Sequence, residues 1–304
     1  MAHNIQYLQR NEIDIDKWDS LVCRSANGLI YNKSYYLDAM AQNWSGIILN
    51  DYEAFLPLPY KQKFKIKYVC MPPFLQQSGI ITSIQLAKEI TDKMVALAHQ
   101  KFKFGEYNFN FNNEQENFTK KNNYILNLKD GYSVLKKNYK TDLNNNLAKA
   151  YKNDLQYSIN NDAKKAIKLF KKLYDERMKI SESDYHHFET LCKILTQKNE
   201  LIIKKVSNKT NDELSYAVCL KDNKRIYFVL SATTEAGRKL KANHFLIDQL
   251  IKEFAGQDLL LDFEGSDEVG ISHFYKNFGS INQPYYFHRW NFLPWPLSVI
   301  KDHF

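Results

Sequence analysis

The sequence predicts a mixed α/β protein built from two similar halves, and three observations lead to this prediction. The chain of 304 residues is long enough for two domains of about 150 residues each. Its composition, with 44% hydrophobic and 25% charged residues, is that of a globular protein. Short strand patterns alternate with helical patterns in each half, in nearly the same order. The pattern therefore predicts that each half forms a mixed sheet with helices on both faces.

The elements of the second half follow from the spacing of its apolar residues. Two helical patterns follow a first strand, three strands come in series, and a basic loop leads into the next helix. The dipeptide Asp222-Asn223 predicts the tight turn between the last two of these strands. The predicted elements are, in order, strand 155–159, helices 162–179 and 183–198, strands 200–207, 213–222 and 225–234, helix 243–254, a strand that begins at 258, helix 270–278 and strand 283–293. The order is thus β-α-α-β-β-β-α-β-α-β.

The first half repeats this order more weakly. Its predicted elements are strand 4–9, helices 14–25 and 34–43, strands 44–51, 52–62 and 67–73, helix 83–102 and strand 105–112. Apolar residues four apart predict a helix after these elements, namely Leu135, Tyr139, Leu143, Leu147 and Tyr151. We therefore expect an N-terminal domain at 1–131, a helical bridge at 132–154 and a C-terminal domain at 155–304.

Positive charge is concentrated in the middle of the chain. The net charge is +8, and the segment from Lys136 to Lys179 contains 12 Lys and Arg against 5 Asp and Glu. Such a patch could bind an anionic ligand, for example a phosphate-bearing cofactor, a nucleotide sugar, RNA or an anionic membrane surface. A lysine-rich helix surface that only keeps the protein in solution is the simpler interpretation of the same residues.

Several classes of protein are disfavoured by the sequence. The four cysteines, Cys23, Cys70, Cys192 and Cys219, lie far apart and form no CxxC pair, which predicts reduced thiols rather than disulfides or a zinc site. The chain has no signal-peptide pattern and no apolar run near the roughly 20 residues that cross a bilayer. We therefore expect a cytoplasmic protein. GxSxG, P-loop and HExxH motifs are absent from the sequence, so neither a covalent nucleophile nor a metal is predicted.

The stretch DLLLDFEGSDEVGISHFYKNFGS, residues 258–280, is a candidate functional segment. An apolar strand ends there in Asp262, Glu264 and Gly265, and ligands of open α/β sheets bind beyond the carboxyl ends of strands. Glu264 could act as a base or hold an amine, or it could cap the next helix. Asp262 lies inside the strand and is better explained as part of a structural pair. Tyr275 could donate a proton to an oxyanion or a leaving group, or it could only pack the helix on the sheet.

The order of elements resembles a known family. The β-α-α-β-β-β-α-β order resembles the GNAT acyltransferase fold. Two such halves in one chain resemble the FemABX peptidyltransferases and the related BioF2-like acetyltransferase-domain proteins. The likeness spans nearly the whole chain and is carried by the stretches YILNLKDGYSVLKKNYKTDLNNNLAKAYKND, RIYFVLSATTEAGRKLKANHFLIDQLIKEF, LLLDFEGSDEVGISHFYKNFGS, LIYNKSYYLDAM and PPFLQQSGI. It implies acyl or aminoacyl transfer to a primary amine, by direct attack on an acyl-CoA or aminoacyl-tRNA donor, without a metal.

The resemblance also implies a phosphate-binding loop. In the coenzyme-A-using enzymes a loop of the form [QR]xxGx[GA] holds the pyrophosphate with backbone N–H groups at the start of the next helix. Here the register that begins at Arg238 places Lys241 at the glycine position and Asn243 at the last position. We expect Arg238, Lys239, Lys241 and Asn243 to form this site, with the basic side chains holding phosphate as point charges. The missing glycine leaves the donor open between acyl-CoA and aminoacyl-tRNA.

The predicted substrate-binding residues are Tyr36, Gln76, Gln77 and Lys149. The first three belong to stretches that resemble family segments near a front pocket, and Lys149 keeps a basic place where the family often carries arginines. The substrate implied is a small amine or a peptide-like molecule, and the nucleic acid implied is tRNA rather than DNA. Two alternatives remain open, a Fem-type peptidyltransferase that acts on a cell-wall peptide precursor and a non-catalytic double-GNAT protein that binds a ligand or partner. The sequence does not indicate an oligomeric state.

Overall fold

The computed structural model describes residues 3–302, which form two compact units. The first unit comprises the described residues of Met1–Lys121 together with those of Pro284–Phe304, and the second unit is Asn122–Gln283. Each unit is built on its own mixed sheet. The first unit is therefore made from two separate parts of the chain, whereas the second is continuous.

The sheet of the first unit has eight strands in the part of the chain that the structure describes. These strands are β1 (Ile5–Gln9), β2 (Asn43–Leu49), β3 (Ala54–Lys63), β4 (Ile66–Cys70), β5 (Ile81–Thr82), β6 (Phe104–Phe109), β7 (Thr119–Lys121) and β15 (Tyr285–Asn291). They lie in the order β1-β2-β3-β4-β6-β15-β7, with β5 beside β3. The pair β4 and β6 is parallel, and the other strand pairs are antiparallel.

The helices of the first unit bury apolar side chains, except the last of them, in which Leu297 and Val299 are exposed. They are α1 (Ile15–Arg24), α2 (Ser34–Met40), α3 (Lys88–Lys101) and α11 (Leu297–Asp302), with 3-10 turns at Arg10–Glu12 and Ile30–Asn32. α1 begins where the Asp14 side chain accepts hydrogen bonds from the backbone N–H groups of the first turn. Trp18 of α1 is fully buried and stacks on Phe55 of β3, with 3.6 Å between ring centroids. This contact fixes α1 on the sheet.

The sheet of the second unit has seven strands. They are β8 (Tyr124–Asn127), β9 (Gln156–Ile159), β10 (Leu201–Ser207), β11 (Glu213–Lys221), β12 (Arg225–Thr233), β13 (Leu260–Asp262) and β14 (Ile281–Asn282). They lie in the order β14-β8-β13-β12-β11-β10-β9, and β12 and β13 are parallel neighbours. Central β11 and β12 are buried on both faces, which explains their nearly continuous apolar sequences.

A buried carboxylate joins three helices of the second unit. The helices are α4 (Tyr132–Lys137), α5 (Thr141–Tyr151), α6 (Ala163–Met178), α7 (Glu182–Gln197), α8 (Glu235–Lys239), α9 (Ala242–Phe254) and α10 (Val269–Lys276). Asp248 of α9 is fully buried and accepts hydrogen bonds from the hydroxyl of Tyr132 at 2.8 Å and that of Tyr151 at 2.5 Å. Because the two tyrosines lie on α4 and α5, one carboxylate joins three helices.

The two units differ from the predicted domains 1–131, 132–154 and 155–304. The predicted bridge forms α4 and α5, and both lie within the second unit. β8 precedes them and pairs with β13, so the second unit begins ten residues earlier than the predicted bridge. The predicted strand 283–293 is observed as β15, which pairs with β6 and β7 of the first sheet. Pairing between strands distant in sequence therefore sets the boundaries.

Candidate active site

A cavity of about 640 Å³ opens in the second unit where β12 and β13 separate. The two strands are paired over three residues each, and the pairing ends at Tyr227 and Asp262. β12 continues to Thr233, whereas the chain leaves the sheet after β13. The cavity is lined by Phe170, Tyr174, Arg177, Met178, Phe228, Val229, Ser231, Thr233, Arg238, Lys241, Asn243, His244, Phe263, Glu264, Gly265, Ile271, Phe274 and Tyr275. The open end of the sheet is thus the floor of a large cleft, and six of the residues that line it are Phe or Tyr.

Asp262 has a structural role at the end of β13. Its Oδ2 accepts a hydrogen bond from Arg225 Nη1 at 2.9 Å, and the two side chains are only 1% and 4% exposed. Its Oδ1 accepts a hydrogen bond from the backbone N–H of Glu264 at 3.0 Å. Asp262 does not line the cavity. A buried ion pair therefore fixes both the end of the strand and the start of the turn that follows.

Glu264 lines the cavity and has an unusual, left-handed backbone conformation. Its φ is 62°, and that of the next residue, Gly265, is 66°. A left-handed backbone is uncommon outside glycine and costs on the order of 1–3 kcal/mol. The hydrogen bond that the Glu264 backbone N–H donates to Asp262 Oδ1 holds this turn in place. A glycine would have adopted the same turn at lower cost, so the glutamate is a candidate for a role beyond the turn itself.

Tyr275, a residue of α10, lies near Glu264. Its ring stacks on Phe263, with 4.6 Å between centroids and 21° between planes. Burial, followed by the charge of the nearby Glu264 carboxylate, raises the pKa of the Tyr275 hydroxyl above its usual value. The phenol therefore keeps its proton at neutral pH and can donate it in a hydrogen bond.

The opposite part of the cavity is basic and is formed by the loop around α8. The Thr234 hydroxyl caps α8 by accepting a hydrogen bond from Gly237 N at 3.0 Å. A Cβ at Gly237 would lie only 2.4 Å from Leu214 O, so this close approach requires glycine. Arg238 Nε donates a hydrogen bond to Thr233 O at 3.3 Å, which holds the guanidinium at the wall of the cavity.

Lys241 places the N-terminus of α9 at the same cavity. It has a left-handed backbone with φ of 61° and precedes the first residue of α9, and its side chain does not cap the helix. The first N–H groups of a helix have no intrahelical acceptor and attract anions. Asn243, in the first turn, is held by its Oδ1, which accepts a hydrogen bond from Ser231 Oγ at 3.2 Å. Lys241 and the helix N-terminus therefore form one positively charged wall.

The structure brings together five of the predicted site residues in one cavity. Glu264, Tyr275, Arg238, Lys241 and Asn243 all line the cavity. Two further predicted residues of the same unit, both exposed, do not line it. They are Lys239, which forms an ion pair with Glu235 along α8 at 2.8 Å, and Lys149, which lies on α5.

The predicted substrate residues of the first unit lie in its interior. Tyr36 and Gln77 are fully buried. The Tyr36 hydroxyl donates a hydrogen bond to Phe74 O. Gln77 Nε2 donates a hydrogen bond to Gln76 Oε1 at 2.8 Å. Tyr36 of α2 thus contacts the loop that contains Gln76 and Gln77, and a substrate role for the three residues stays a prediction.

Several cavity residues were not predicted from the sequence. Phe170 and Tyr174 belong to the apolar stripe of α6, which predicted only core packing, and Arg177 follows them on the same helix. His244 also lines the cavity, and its ring meets that of Phe274 edge-on, with 4.9 Å between the ring centroids. The signal for His244 was its place in the loop that was expected to hold phosphate, one residue after Asn243.

Acidification from pH 7 to pH 4.5 should destabilise the protein in part through His244. Burial, with a smaller effect of Lys241, lowers the pKa of His244 to about 4, whereas an unfolded histidine has a pKa of about 6.5. Between these values the unfolded chain binds a proton that the folded chain does not. The stabilisation is therefore complete above pH 6.5 and is lost as the pH falls through 4. Urea unfolding at both pH values should show a smaller loss of stability for His244→Asn than for the wild type.

The exposed histidine His186 provides the matched control for this experiment. His186→Asn should keep the pH dependence of the wild type. His288 of the first unit, whose pKa burial also lowers to about 4, contributes equally in every variant. If His244→Asn and the wild type lost the same free energy of unfolding on acidification, His244 would not be a buried neutral histidine.

Among residues 3–302, no group of three or more His, Cys, Asp or Glu side chains is placed to hold a metal ion. No helix within those residues combines the length and the apolar character that crossing a membrane requires.

Comparison with known proteins gives structural matches only. No protein-family model matches the chain, and no curated protein sequence matches it. FemX has 11% sequence identity and a TM-score of 0.68, with 99% of this chain and 99% of that chain covered. A conserved protein of unknown function from Bacteroides thetaiotaomicron VPI-5482 has 9% identity and a TM-score of 0.60, with 95% of this chain and 100% of that chain covered. The C-terminal domain (DUF2156) of a putative lysylphosphatidylglycerol synthetase from Agrobacterium fabrum has 9% identity and a TM-score of 0.53, with 95% of each chain covered.

These similarities establish the fold. The chain has the two-sheet α/β architecture of FemX, and the predicted class of two GNAT-like halves is confirmed. The resemblance that the sequence suggested is therefore correct at the level of structure. Sequence identity is too low for the matches to carry an activity across.

Proposed function

We propose that this chain, which has the fold of FemX, transfers an acyl or aminoacyl group to a primary amine in the cavity of its second unit. The observation that carries the proposal is the arrangement of that cavity. Lys241, Arg238 and the N-terminus of α9 form a positive wall. Glu264, just beyond the end of β13, and Tyr275 of α10 line the cavity as well. One wall suits a phosphate-bearing donor, and the other suits an amine that must lose a proton.

The reaction that fits these residues needs no covalent enzyme intermediate. The amine attacks the carbonyl carbon of the donor directly, the new C–N bond forms, and the bond to the thiol or ribose leaving group breaks. Glu264 accepts the proton that the amine loses. Tyr275, whose hydroxyl keeps its proton because its pKa is raised, donates a hydrogen bond to the oxyanion or to the leaving group.

Two classes of donor fit the positive wall. Acyl-CoA carries a pyrophosphate and aminoacyl-tRNA carries phosphodiesters, and each would place phosphate near Lys241 and the N–H groups of α9. The backbone of Lys241 has the left-handed conformation that glycine favours, so the chain keeps the loop shape and adds a positive charge. The wall thus supports a phosphate-bearing donor without selecting between the two.

A second candidate is Fem-type peptidyl transfer to a cell-wall peptide precursor. The likeness to FemX favours it, since that match covers 99% of this chain. The basic segment from Lys136 to Lys179, with its 12 Lys and Arg, would suit a large anionic substrate. This reaction differs from the first in its acceptor, so peptide-like and small amines should be compared as acceptors.

Ligand-induced stabilisation is the experiment that tests the proposal. Thermal unfolding is measured with acetyl-CoA, longer acyl-CoAs, free CoA and bulk tRNA at low and moderate salt. A ligand at one hundred times its dissociation constant should stabilise the fold by about 2.7 kcal/mol. A salt-tolerant shift with acyl-CoA supports acyl transfer, and a shift with tRNA alone that fades with salt supports an aminoacyl donor. No shift with any of them would favour a non-catalytic double-GNAT protein.

The same measurement tests the positive wall. Lys241→Gln should weaken the binding of the responding donor by about 10- to 100-fold, because a charge-assisted hydrogen bond contributes about 1.5–3 kcal/mol. Lys239→Gln is the matched control, since Lys239 is exposed on α8 and does not line the cavity. If both variants lost affinity equally, the effect would come from the general charge of the loop.

A further inference from the structure

An unusually close contact joins a cysteine and a lysine in the first unit. Lys33 Nζ lies 2.7 Å from Cys23 Sγ. This distance is shorter than the sum of the van der Waals radii of nitrogen and sulfur. By contrast, Cys70 Sγ lies 3.7 Å from the carbonyl oxygen of Met71, an ordinary separation for a hydrogen bond of sulfur. The Cys23–Lys33 pair is therefore closer than hydrogen bonding alone would bring it.

The fold holds the two side chains in this position. Cys23 lies in the last turn of α1, and Lys33 directly precedes α2. Asp19 of α1 connects the two segments, because its carboxylate accepts hydrogen bonds from Ser34 N at 2.8 Å and Ser34 Oγ at 2.7 Å. Asp19 O also accepts a hydrogen bond from Lys33 Nζ at 3.1 Å. The amine is thus directed at the sulfur by contacts that do not involve the thiol.

We propose that Cys23 and Lys33 form a site of oxidative cross-linking, in which one oxygen atom bridges Sγ and Nζ. An S–O–N bridge places nitrogen and sulfur two covalent bonds apart, which is closer than a non-bonded contact and fits the observed 2.7 Å. Cys23 is exposed, so a peroxide in solution can reach its thiol. Lys33 supplies the second partner without a movement of the backbone.

The chemistry balances with peroxide as the oxidant. One hydrogen peroxide oxidises the thiol to a sulfenic acid, breaking the O–O bond and releasing water. A second peroxide oxidises the amine nitrogen by two electrons to a hydroxylamine and releases another water. The sulfenic acid and the hydroxylamine then condense, forming the S–O–N bridge with loss of a third water. The cross-linked chain has gained one oxygen and lost two hydrogens.

Mass spectrometry of the full chain after peroxide treatment tests the proposal. Trypsin cleaves the untreated chain after Arg24 and Lys33. In the cross-linked chain the peptide 18–24 should be joined to a peptide that runs from Ser25 past Lys33 to Lys61, because a modified lysine is not cleaved. The joined product should carry one added oxygen and lack two hydrogens. Oxygen added to peptide 18–24 alone, with normal cleavage after Lys33, would overturn the proposal.

Two variants and a second readout complete the test. Lys33→Arg keeps a positive charge but removes the primary amine, and Cys23→Ser removes the sulfur, so neither should give the joined peptide. The bridge ties α1 to the start of α2 and restricts the unfolded chain, so peroxide should raise the melting temperature of the wild type but of neither variant. The oxygen bridge would be refuted by a joined peptide that has lost two hydrogens without gaining oxygen, since that product has a direct S–N bond. It would be refuted equally by a joined peptide in Lys33→Arg.

Discussion

Replacement of Glu264 by glutamine should lower the rate of acyl or aminoacyl transfer by about 10²- to 10⁴-fold, the usual contribution of a general base. Glutamine has nearly the shape of glutamate, but its amide cannot accept the proton of the attacking amine. The fold should be kept, because the backbone N–H of residue 264 still donates to Asp262. The measurement is kcat/KM with the donor that the binding experiments select and with primary amines as acceptors.

The control for this variant is Glu176→Gln. Glu176 is an exposed carboxylate of α6 that does not line the cavity, so its replacement changes the net charge equally without touching the proposed site. It should have wild-type kcat/KM. A Glu264→Gln protein that transferred as fast as the Glu176→Gln protein would remove Glu264 from the mechanism, and the cavity would then bind its ligand without this base.

Replacement of Asp262 by alanine should produce the largest loss of stability. It leaves the Arg225 guanidinium buried without the carboxylate that faces it, and breaking a buried ion pair in this way costs about 3–5 kcal/mol. The free energy of unfolding, measured in urea, should fall by that amount. Because the same carboxylate accepts the Glu264 N–H, the turn at the cavity should also loosen, and donor binding should weaken.

Two further variants separate the ion pair from its surroundings. Arg225→Met combined with Asp262→Leu replaces both charges by apolar groups and should recover most of the lost stability. Asp51→Ala removes a carboxylate from the exposed pair with Lys17 and should change the unfolding free energy far less. If Asp262→Ala were no more harmful than Asp51→Ala, burial would not be what makes this pair important.

Much of the fold could be predicted because its determinants are local. The apolar stripe of 132–154 is buried as expected at Leu135, Leu143 and Leu147, which are at most 3% exposed. A stripe at helical spacing needs only neighbours along the chain to be recognised. The same is true of β11 and β12, whose nearly continuous apolar sequences indicate strands covered on both faces.

Strand pairing between distant segments could not be predicted in this way. The pattern of 285–291 indicates a strand but contains no information about which sheet it joins, and it pairs with β6 and β7 rather than with its neighbours in sequence. β8 shows the same limit, since it pairs with β13 across more than 130 residues. The predicted domain boundaries differ from the observed units for this reason.

Which residues line the cavity could be predicted for those next to the end of a strand or the start of a helix, and less well for the others. Glu264 and Lys241 lie next to the ends of β13 and α9, so sequence position alone placed them at the cavity. Lys239, two residues from Lys241, is exposed and pairs with Glu235 one helical turn earlier, so it does not line the cavity. Tyr36 shows the opposite case, a polar aromatic side chain that the fold draws fully into the core.

The interruption of the first unit by the second has a consequence for synthesis. The second unit is one continuous segment, so it can begin to fold on the ribosome as soon as Asn122–Gln283 has emerged. The first unit cannot, although translation reaches it first. Until 285–291 is made, β6 has an open edge and β7 lacks the strand it pairs with. An unfinished sheet edge is a template for association with other chains. The N-terminal part of the nascent protein is thus prone to aggregation for much of translation. This risk ends when the last strand, β15, has been made and pairs with β6 and β7.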